Sequence, residues 1–133
     1  HRLPLTALML DIDHFKQIND TLGHETGDRA LQLFGRLLQE CHRSGDMVGR
    51  LGGEEFGVLL LHNSAPAGTS FDRRLRKRLA ECSVSELGFA LNYSAGMAVL
   101  TPQDAALAPL MARADAALYA AKAAGRGQLV AAR

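Results

Sequence analysis

Two adjacent acidic residues follow a pair of glycines in the stretch RLGGEEF, residues 50–56. Gly52 and Gly53 allow a backbone to turn tightly and to approach a ligand where a Cβ atom would collide. The carboxylates of Glu54 and Glu55 repel each other at such a turn unless a cation neutralises them. The pattern therefore predicts a metal-binding hairpin tip. An exposed turn with ordinary surface glutamates is the alternative reading.

A second acidic stretch, DIDHFKQIND, spans residues 11–20. While a strand persists, alternation puts the side chains of Asp11 and Asp13 on the same side, and the loop that follows offers amides and Lys16 to an anion. Magnesium prefers oxygen ligands and usually retains substrate phosphates, so two or three carboxylates are enough protein coordination. These residues suit a magnesium-bound triphosphate. Asp13 suits the capping of the next helix equally well.

The strands that must position these acids are short apolar runs. Residues 5–12 form a nearly continuous apolar run, which predicts a buried strand that carries carboxylates at its C-terminal end. Residues 47–51 and 56–61 are strand-like on either side of the two glutamates, which predicts a hairpin with a charged tip. Further strands are predicted at residues 91–100 and 129–131.

The helices follow from apolar residues at helical spacing. A helical turn is predicted over residues 15–22, and an amphipathic helix runs from residue 26 until Ser44-Gly45 closes the segment. Residues 63–69 read as a loop, residues 71–82 as a helix covered by basic side chains, and residues 106–124 as a long alanine-rich helix. The expected fold class is α+β, with a mixed, mainly antiparallel sheet of about five strands flanked by helices.

Composition limits the classes of function. The 133 residues suit one domain, and 15 basic against 14 acidic residues give a net charge of +1, which excludes a broad surface for nucleic acid. Cys41 and Cys82 lack metal-type spacing, so free thiols in a reducing, cytoplasmic setting are expected. No apolar run approaches the roughly 20 residues of a membrane span, so no membrane contact is expected from this domain.

Four stretches together resemble the GGDEF family of diguanylate cyclases. They are DIDHFKQIND, GHETGD at residues 23–28, RLGGEEF, and ADAALYAAKAAGR at residues 114–126, in the family's order. The chain looks like the GGEEF variant of that family. The resemblance implies the fold of polymerase palm domains and class III nucleotide cyclases, and an enzyme that joins two GTP molecules into cyclic di-GMP with release of pyrophosphate.

The resemblance also implies roles for individual residues. Asp11, Glu54 and Glu55 would be catalytic, and with the backbone carbonyl of Ile12 they would hold Mg²⁺, with Mn²⁺ as an alternative ion. The residues that would bind GTP are His14, Phe15, Lys16, Asn19, Asp28, Gly52, Gly53, Lys122 and Arg126. Among these, Asn19 and Asp28 would read the guanine edge.

The stretch RSGD, residues 43–46, has the RxxD form and the position of the family's product-inhibition site. Arg43 and Asp46 would bind cyclic di-GMP there, and Arg74 falls where the family can supply a second arginine. A helix-ending turn explains the RxxD string without a ligand. A solvated face explains the arginine-rich run around Arg74.

The product has two phosphodiester links, so turnover is expected to need a two-fold homodimer. The family's opening DxLTGLxNRR segment is absent, and we expect residues 1–133 to be one domain cut from a longer protein with an upstream sensory region. The alternatives are a catalytically weak receptor for cyclic di-GMP, a GTP sensor, and a nucleotidyl cyclase with another base preference.

Overall fold

The computed structural model describes residues 4–61 and 65–132. The strands in that part of the chain are β1 Thr6–Ile12, β2 Met47–Gly52, β3 Glu55–Leu60, β4 Tyr93–Val99 and β5 Leu129–Ala131. They form one sheet in the order β2-β3-β1-β4-β5. Only the β4–β5 pair within the described residues is parallel. The prediction of a mixed, mainly antiparallel sheet of about five strands is therefore confirmed.

The helices of the described residues are α1 Phe15–Leu22, α2 His24–Cys41, α3 Ala65–Leu87 and α4 Leu107–Ala123. The central strand β1 is buried along its whole length, as its continuous apolar run predicts. Its side chains alternate between two separate clusters. Leu8 and Leu10 pack into the cluster that contains residues of α1, α2 and α3, whereas Ala7 and Met9 pack with α4.

The first face of the sheet has a large core built around aromatic rings. Phe34 of α2 lies with its ring centroid 4.8 Å from that of Phe56 on β3 and 5.2 Å from that of Tyr93 on β4. Tilted and edge-on contacts of this kind add to the free energy gained from burial alone. This core anchors β3 and β4 to α2 at the strand ends from which the acidic residues emerge.

The second face is covered by α4 through much smaller side chains. Ala114, Ala117 and Ala121 are buried, and β4 contributes a glycine, Gly96, beneath the helix. A Cβ atom at Gly96 would overlap the backbone of Ala114 and Leu118. The helix backbone therefore rests directly on the strand, and the position of α4 depends on the absence of a side chain at Gly96.

The predicted loop over residues 63–69 is wrong from residue 65 onward, because α3 begins at Ala65; Asn63 and Ser64 lie outside the described residues. Pro66 is tolerated there because the first turn of a helix has no intrahelical partner for its N–H groups. Gly68 is buried against Met97, where a Cβ atom would overlap the sulfur. The helix also continues past Cys82 to Leu87, where Arg36 of α2 donates a 2.6 Å hydrogen bond to Glu86.

The arginine-rich face of α3 is less solvated than predicted. Arg76 lies with its guanidinium 4.0 Å from the ring centroid of Tyr93, and it donates hydrogen bonds to the carboxylate of Asp72 and the carbonyl of Tyr93. Arg78 forms a 2.9 Å ion pair with Glu40 of α2. These arginines join α3 to the sheet and to α2, since their long apolar stems allow partial burial.

Candidate active site

The acidic residues of the first strand and of the hairpin meet at one end of the sheet. Asp11 of β1 pairs in register with Glu55 of β3, and cross-strand partners of an antiparallel pair lie on the same face. The backbone N–H of Ile12 donates to the carbonyl oxygen of Glu54 at 3.2 Å. The end of β1 and the tip of the hairpin are thus joined by a backbone hydrogen bond.

The hairpin tip is shaped by Gly53 and supported by Arg50. Gly53 has a φ of 51°, in the left-handed region that glycine adopts without steric cost. The Nε atom of Arg50 donates a 2.8 Å hydrogen bond to the carbonyl of Gly53. Gly52 and Gly53 are exposed, whereas Glu54 and Glu55 are half-buried. The backbone of the tip is therefore accessible at both glycines, whereas both glutamates are partly covered by the rest of the fold.

Asp11 is a buried carboxylate with a cationic partner from α4. It is 5 % exposed and accepts a 2.6 Å hydrogen bond from Nζ of Lys122. Burial raises the pKa of Asp11, the Lys122 ammonium opposes that rise, and the charges of Glu54 and Asp13 add to it. A carboxylate whose pKa is raised by burial and by neighbouring charges is a candidate for a functional site.

The donor set at this end of the sheet consists of oxygen atoms. Carboxylate and carbonyl oxygens suit hard divalent ions such as magnesium, which usually takes one or two carboxylates and completes its shell with water and substrate phosphates. Across the described residues, no group of three or more His, Cys, Asp or Glu side chains is gathered as a ready-made ion site. Asp11 is the buried charge that a divalent ion at this end of the sheet would neutralise.

Asp13 does not cap the following helix. Its carboxylate accepts a 2.6 Å hydrogen bond from the hydroxyl of Ser94 on β4 and a 3.0 Å bond from the N–H of Gly127, and α1 has no side-chain cap. The capping interpretation of Asp13 is therefore wrong. The residue instead ties the end of β1 to β4 and to the turn that follows α4.

The start of α1 presents backbone N–H groups beside the acidic site. His14 immediately precedes the helix in a left-handed conformation, with φ 57° and ψ 31°. The first N–H groups of a helix have no intrahelical acceptor, and a left-handed residue next to right-handed ones points successive N–H groups into one concavity. Phe15 is half-buried and Lys16 is exposed.

The two residues predicted to read guanine lie on neighbouring helices. Asn19 of α1 is half-buried, and its side-chain amide lies against Gly27 of α2, where a Cβ atom would overlap it. Asp28, the next residue along α2, is exposed. The small residue at position 27 thus lets α1 approach α2 and keeps the Asn19 amide next to the Asp28 position.

The RxxD residues form a second, separate group. The N–H of Arg43 and the N–H of Leu61 both donate to the carboxylate of Asp46, at 3.0 Å and 3.2 Å, so this carboxylate builds the turn between α2 and β2. The guanidinium of Arg74 donates to the carbonyl of Cys41 at 3.1 Å. Arg43 and Arg74 line one cavity of about 460 Å³, together with Lys77. The structure brings the two predicted arginines together within one chain.

Comparison with known protein families decides the assignment. Residues 1–128 match the family described as "Diguanylate cyclase, GGDEF domain". The chain belongs to the GGDEF family. Members of this family depend on a metal ion. The resemblance inferred from four sequence stretches and the predicted palm-like fold are both confirmed.

Individual relatives support the membership of this GGDEF domain. It is 42% identical over 127 residues to the diguanylate cyclase DgcP of Pseudomonas aeruginosa, a match that covers 94% of this chain and 19% of the relative. The structure of the active GGEEF domain of a diguanylate cyclase from Vibrio cholerae has a TM-score of 0.90 and 35% identity, with 99% of this chain and 85% of that chain covered.

The GGDEF domain of DgcB from Caulobacter crescentus, solved in complex with c-di-GMP, has a TM-score of 0.87 and 32% identity. That match covers 97% of this chain and 78% of the other. The curated relatives are longer proteins, of which this chain spans about a fifth to two fifths. Within the described part of the GGDEF domain, none of the helices combines the length and the apolar character needed to cross a bilayer.

Two residues at the acidic end of the GGDEF domain were missed by the sequence analysis. Ser94 is fully buried in a strand that is otherwise apolar, and Gly127 donates its N–H to the same carboxylate. A hydroxyl within the apolar run of β4 was the available signal, because buried polar side chains are normally hydrogen-bonded. The pairing of Lys122 with Asp11 was also missed, since a lysine at the end of a helix is usually solvated.

Proposed function

We propose that this chain is the catalytic domain of a diguanylate cyclase, which condenses two GTP molecules into cyclic di-GMP and two pyrophosphates. The observation that carries the proposal is the meeting of Asp11 with the Glu54-Glu55 tip through the backbone bond at Ile12. Family membership supports the reaction class, and this arrangement would offer acids to a metal-bound triphosphate.

Asp11, Glu54 and Glu55, with the carbonyl of Ile12, would hold the divalent ion, which we take to be Mg²⁺, with Mn²⁺ as an alternative. When bound, the ion would lower the pKa of the attacking hydroxyl and offset charge on the phosphate oxygens. Lys122 is the cation that neutralises Asp11 in the structure. An ion on Asp11 would therefore free the Lys122 ammonium for a substrate phosphate.

The triphosphate would lie across the start of α1, where the N–H groups of His14 and Phe15 and the side chain of Lys16 are available. Anions are favoured at such a position by the free N–H groups and by the helix dipole. Arg126 would reach the same phosphates from the turn after α4. It is exposed, as a residue that meets a soluble ligand has to be.

The guanine base would lie against Asn19 and Asp28. A carboxylate at Asp28 accepts from the ring N–H and the amino group of guanine, a donor pair that adenine lacks in the same arrangement. Gly52 and Gly53 would lie beneath the nucleotide, where their exposed backbone leaves room for close approach. GTP is therefore the expected substrate.

The reaction joins the 3′-hydroxyl of one GTP to the α-phosphate of another, and pyrophosphate leaves. Each domain would hold one nucleotide, so two domains would face each other across a two-fold axis to form both links. Holding the two reacting groups in line supplies much of the rate enhancement in such a reaction. The rate per chain should therefore rise with protein concentration until the dimer saturates.

The cavity that contains Arg43 and Arg74 would bind the product and slow its synthesis. Two guanidinium groups in one cavity offer planar donors for phosphate or for guanine. Asp46 would accept from the base of the product beside the arginines, and its carboxylate oxygens also accept backbone hydrogen bonds from Arg43 and Leu61. A relative in this family was solved with c-di-GMP bound.

The test is product formation from GTP with Mg²⁺ or Mn²⁺, with a parallel incubation with ATP, resolved by chromatography. Cyclic di-GMP should form from GTP and should disappear in Glu54→Gln. Glu25→Gln, an exposed glutamate of the first turn of α2, is the matched control and should retain turnover. Binding of cyclic di-GMP without turnover at any protein concentration would instead support a receptor, and product from ATP would support another cyclase.

Product inhibition has its own test. Arg43→Ala should relieve the inhibition of GTP turnover by added cyclic di-GMP while the uninhibited rate stays close to that of the unmodified chain. Arg73→Ala, on the exposed face of α3, is the control and should leave inhibition intact. Unchanged inhibition in Arg43→Ala would remove this regulatory assignment.

A further inference from the structure

The turn after α4 has an unusual backbone. The helix ends with the N–H of Gly125 donating to the carbonyl of Lys122 at 3.3 Å and the N–H of Arg126 donating to that of Ala121 at 2.9 Å. This pair of bonds is the Schellman ending, with a glycine, φ 115°, at the position that favours one. Arg126 therefore follows the helix end directly, and its own N–H is fixed to the helix.

Arg126 itself has a φ of 66°. A side chain with a Cβ atom rarely adopts the left-handed region, and such a residue persists there only when its surroundings hold it. Glycine, asparagine and aspartate account for most residues in this region, so an arginine there indicates that the direction of its side chain matters. Because Arg126 is exposed, the direction of its side chain is set by the backbone and not by packing of the side chain.

On the C-terminal side of Arg126, the backbone of Gly127 is hydrogen-bonded to Asp13. The N–H of Gly127 donates to Oδ2 of Asp13 at 3.0 Å and also lies 3.3 Å from Oγ of Ser94, whose hydroxyl donates to Oδ1 of Asp13 at 2.6 Å. Asp13 is 8 % exposed and Ser94 is fully buried. The peptide between Arg126 and Gly127 is thus tied to the ends of β1 and β4, next to Asp11.

We propose that Asp13, supported by Ser94, is a positioning residue that directs Arg126 toward the phosphates of the substrate. This inference rests on the proposed function, because it takes Arg126 to be a phosphate ligand. Both oxygens of the Asp13 carboxylate are engaged by hydrogen bonds within the protein. Asp13 therefore acts through the turn and not as an additional metal ligand. Without it, Arg126 loses the contact that maintains its left-handed backbone and turns away.

The primary experiment compares affinities for GTP with Mg²⁺, for guanosine, and for cyclic di-GMP, by calorimetry on the purified chain. Asp13→Ala should weaken GTP binding about tenfold, as expected for loss of a hydrogen bond to a charged group. The affinities for guanosine and for cyclic di-GMP should not change. Asp13→Asn should recover most of the loss, because its amide oxygen can accept from Gly127 and its amide nitrogen can donate to Ser94.

A double-mutant cycle separates positioning from a general effect on the fold. If Asp13 acts through Arg126, the Asp13→Ala change should cost little further GTP affinity in a chain that already carries Arg126→Ala. Ser94→Ala retains the carboxylate and should give a smaller loss, about twofold to threefold, which keeps the test available if Asp13→Ala does not fold. Additive losses in the cycle would overturn the proposal.

Asp104→Ala is the matched control, because Asp104 is a buried aspartate that ties the loop at the other end of α4. It should leave GTP affinity unchanged, and an equal loss there would overturn the proposal by showing that general loosening of α4 is enough. A changed dependence on Mg²⁺ concentration in Asp13→Ala would also overturn it in favour of metal binding. Unchanged GTP binding in Arg126→Ala would overturn this inference. The Glu54→Gln product assay tests the proposed function separately.

Discussion

Each end of α4 has a buried aspartate that pairs with a cation of the helix. On the N-terminal side of the helix, Asp104 accepts hydrogen bonds from the N–H of Thr101 at 2.9 Å and from the hydroxyl of Thr101 at 3.1 Å. It also forms an ion pair with Arg113 at 2.8 Å. At the C-terminal end of the helix, Lys122 donates a 2.6 Å hydrogen bond to Asp11 of β1. Asp104 is 3 % exposed and Asp11 is 5 % exposed.

Their pKa values move in opposite directions. The backbone N–H of Thr101 is the largest influence that holds the pKa of Asp104 below its ordinary value, and the Thr101 hydroxyl and Arg113 act in the same direction. Burial raises the pKa of Asp11 despite Lys122, and Glu54 and Asp13 raise it further. The fold therefore stabilises the charge of one aspartate and destabilises the charge of the other.

The contrast distinguishes a structural carboxylate from a functional one on the same helix. Asp104 has the hydrogen bonds that a buried anion needs. Its charge is therefore stabilised within the protein, and it anchors the loop before α4. The charge of Asp11 is disfavoured by burial and by the charges of Glu54 and Asp13, and its ion-pair partner is Lys122. A carboxylate whose charge the protein leaves under-compensated is the one that an incoming cation can stabilise.

The largest expected effect is on turnover in Asp11→Asn. The cyclase rate should fall by about a thousandfold, since the substitution removes the proposed ligand of an ion that would offset several kcal/mol of developing charge. The same substitution should raise the Tm at neutral pH, because the folded chain no longer has to bury that charge. Initial rates and thermal melts measure the two quantities, and a lower Tm would contradict the assignment of Asp11 as a destabilised anion.

Gly96→Ala should disturb both ends of α4 together. The added Cβ would overlap the backbone of the helix, and an overpacked contact of this kind costs about 1–3 kcal/mol of the free energy of unfolding. Gly49→Ala is the control, because a Cβ there has nothing within 4 Å. Urea unfolding of the two variants compares them, and equal stability would show that α4 can shift without cost.

Asp104→Asn should lower the Tm by several degrees at neutral pH, since it removes a charge that the surrounding donors stabilise. The KM for GTP should not change, because Asp104 lies at the end of α4 away from the acidic hairpin. Thermal melts with parallel rate measurements test this. A changed KM without a lower Tm would show that Asp104 has a functional role and not the structural role assigned to it.

The smallest effect expected is the pH dependence of that Tm difference. The folded-state pKa of Asp104 is depressed below the ordinary value for an aspartate, so its contribution to stability is fully present above that ordinary value and is lost as pH falls through the folded-state pKa. The gap between the unmodified chain and Asp104→Asn should narrow on acidification. The gap for Asp11→Asn, in which the variant is the more stable, should also narrow on acidification, because the pKa of Asp11 is raised and protonation removes its buried charge.

Much of this domain follows from local sequence patterns. The buried strand before Asp11, the hairpin with its acidic tip, and the alanine-rich helix that carries Lys122 were all predicted from apolar spacing and turn residues. These features depend on neighbours within a few positions. The fold class and the meeting of the two acidic stretches follow once the strands pair.

The errors involve contacts between distant residues. Capping of the next helix was one of two interpretations of Asp13 from the sequence. Its hydrogen-bond partners Ser94 and Gly127 instead lie 81 and 114 positions away in the sequence. Pro66 and Gly68 indicate a loop by composition, but the glycine is there because Met97 lies beneath it. Local propensity does not report which residue another element will bring into contact.

The hydrogen bond from Ile12 to the Glu54 carbonyl connects main-chain atoms alone. Replacing the side chain of Asp11, Glu54 or Glu55 therefore leaves the spacing of the chain segments that carry them intact. Variants of these acids are near-isosteric probes of charge, and their kinetic differences can be compared on one scaffold. Insertion of a residue between Gly52 and Glu54 would break that spacing with every acid still present.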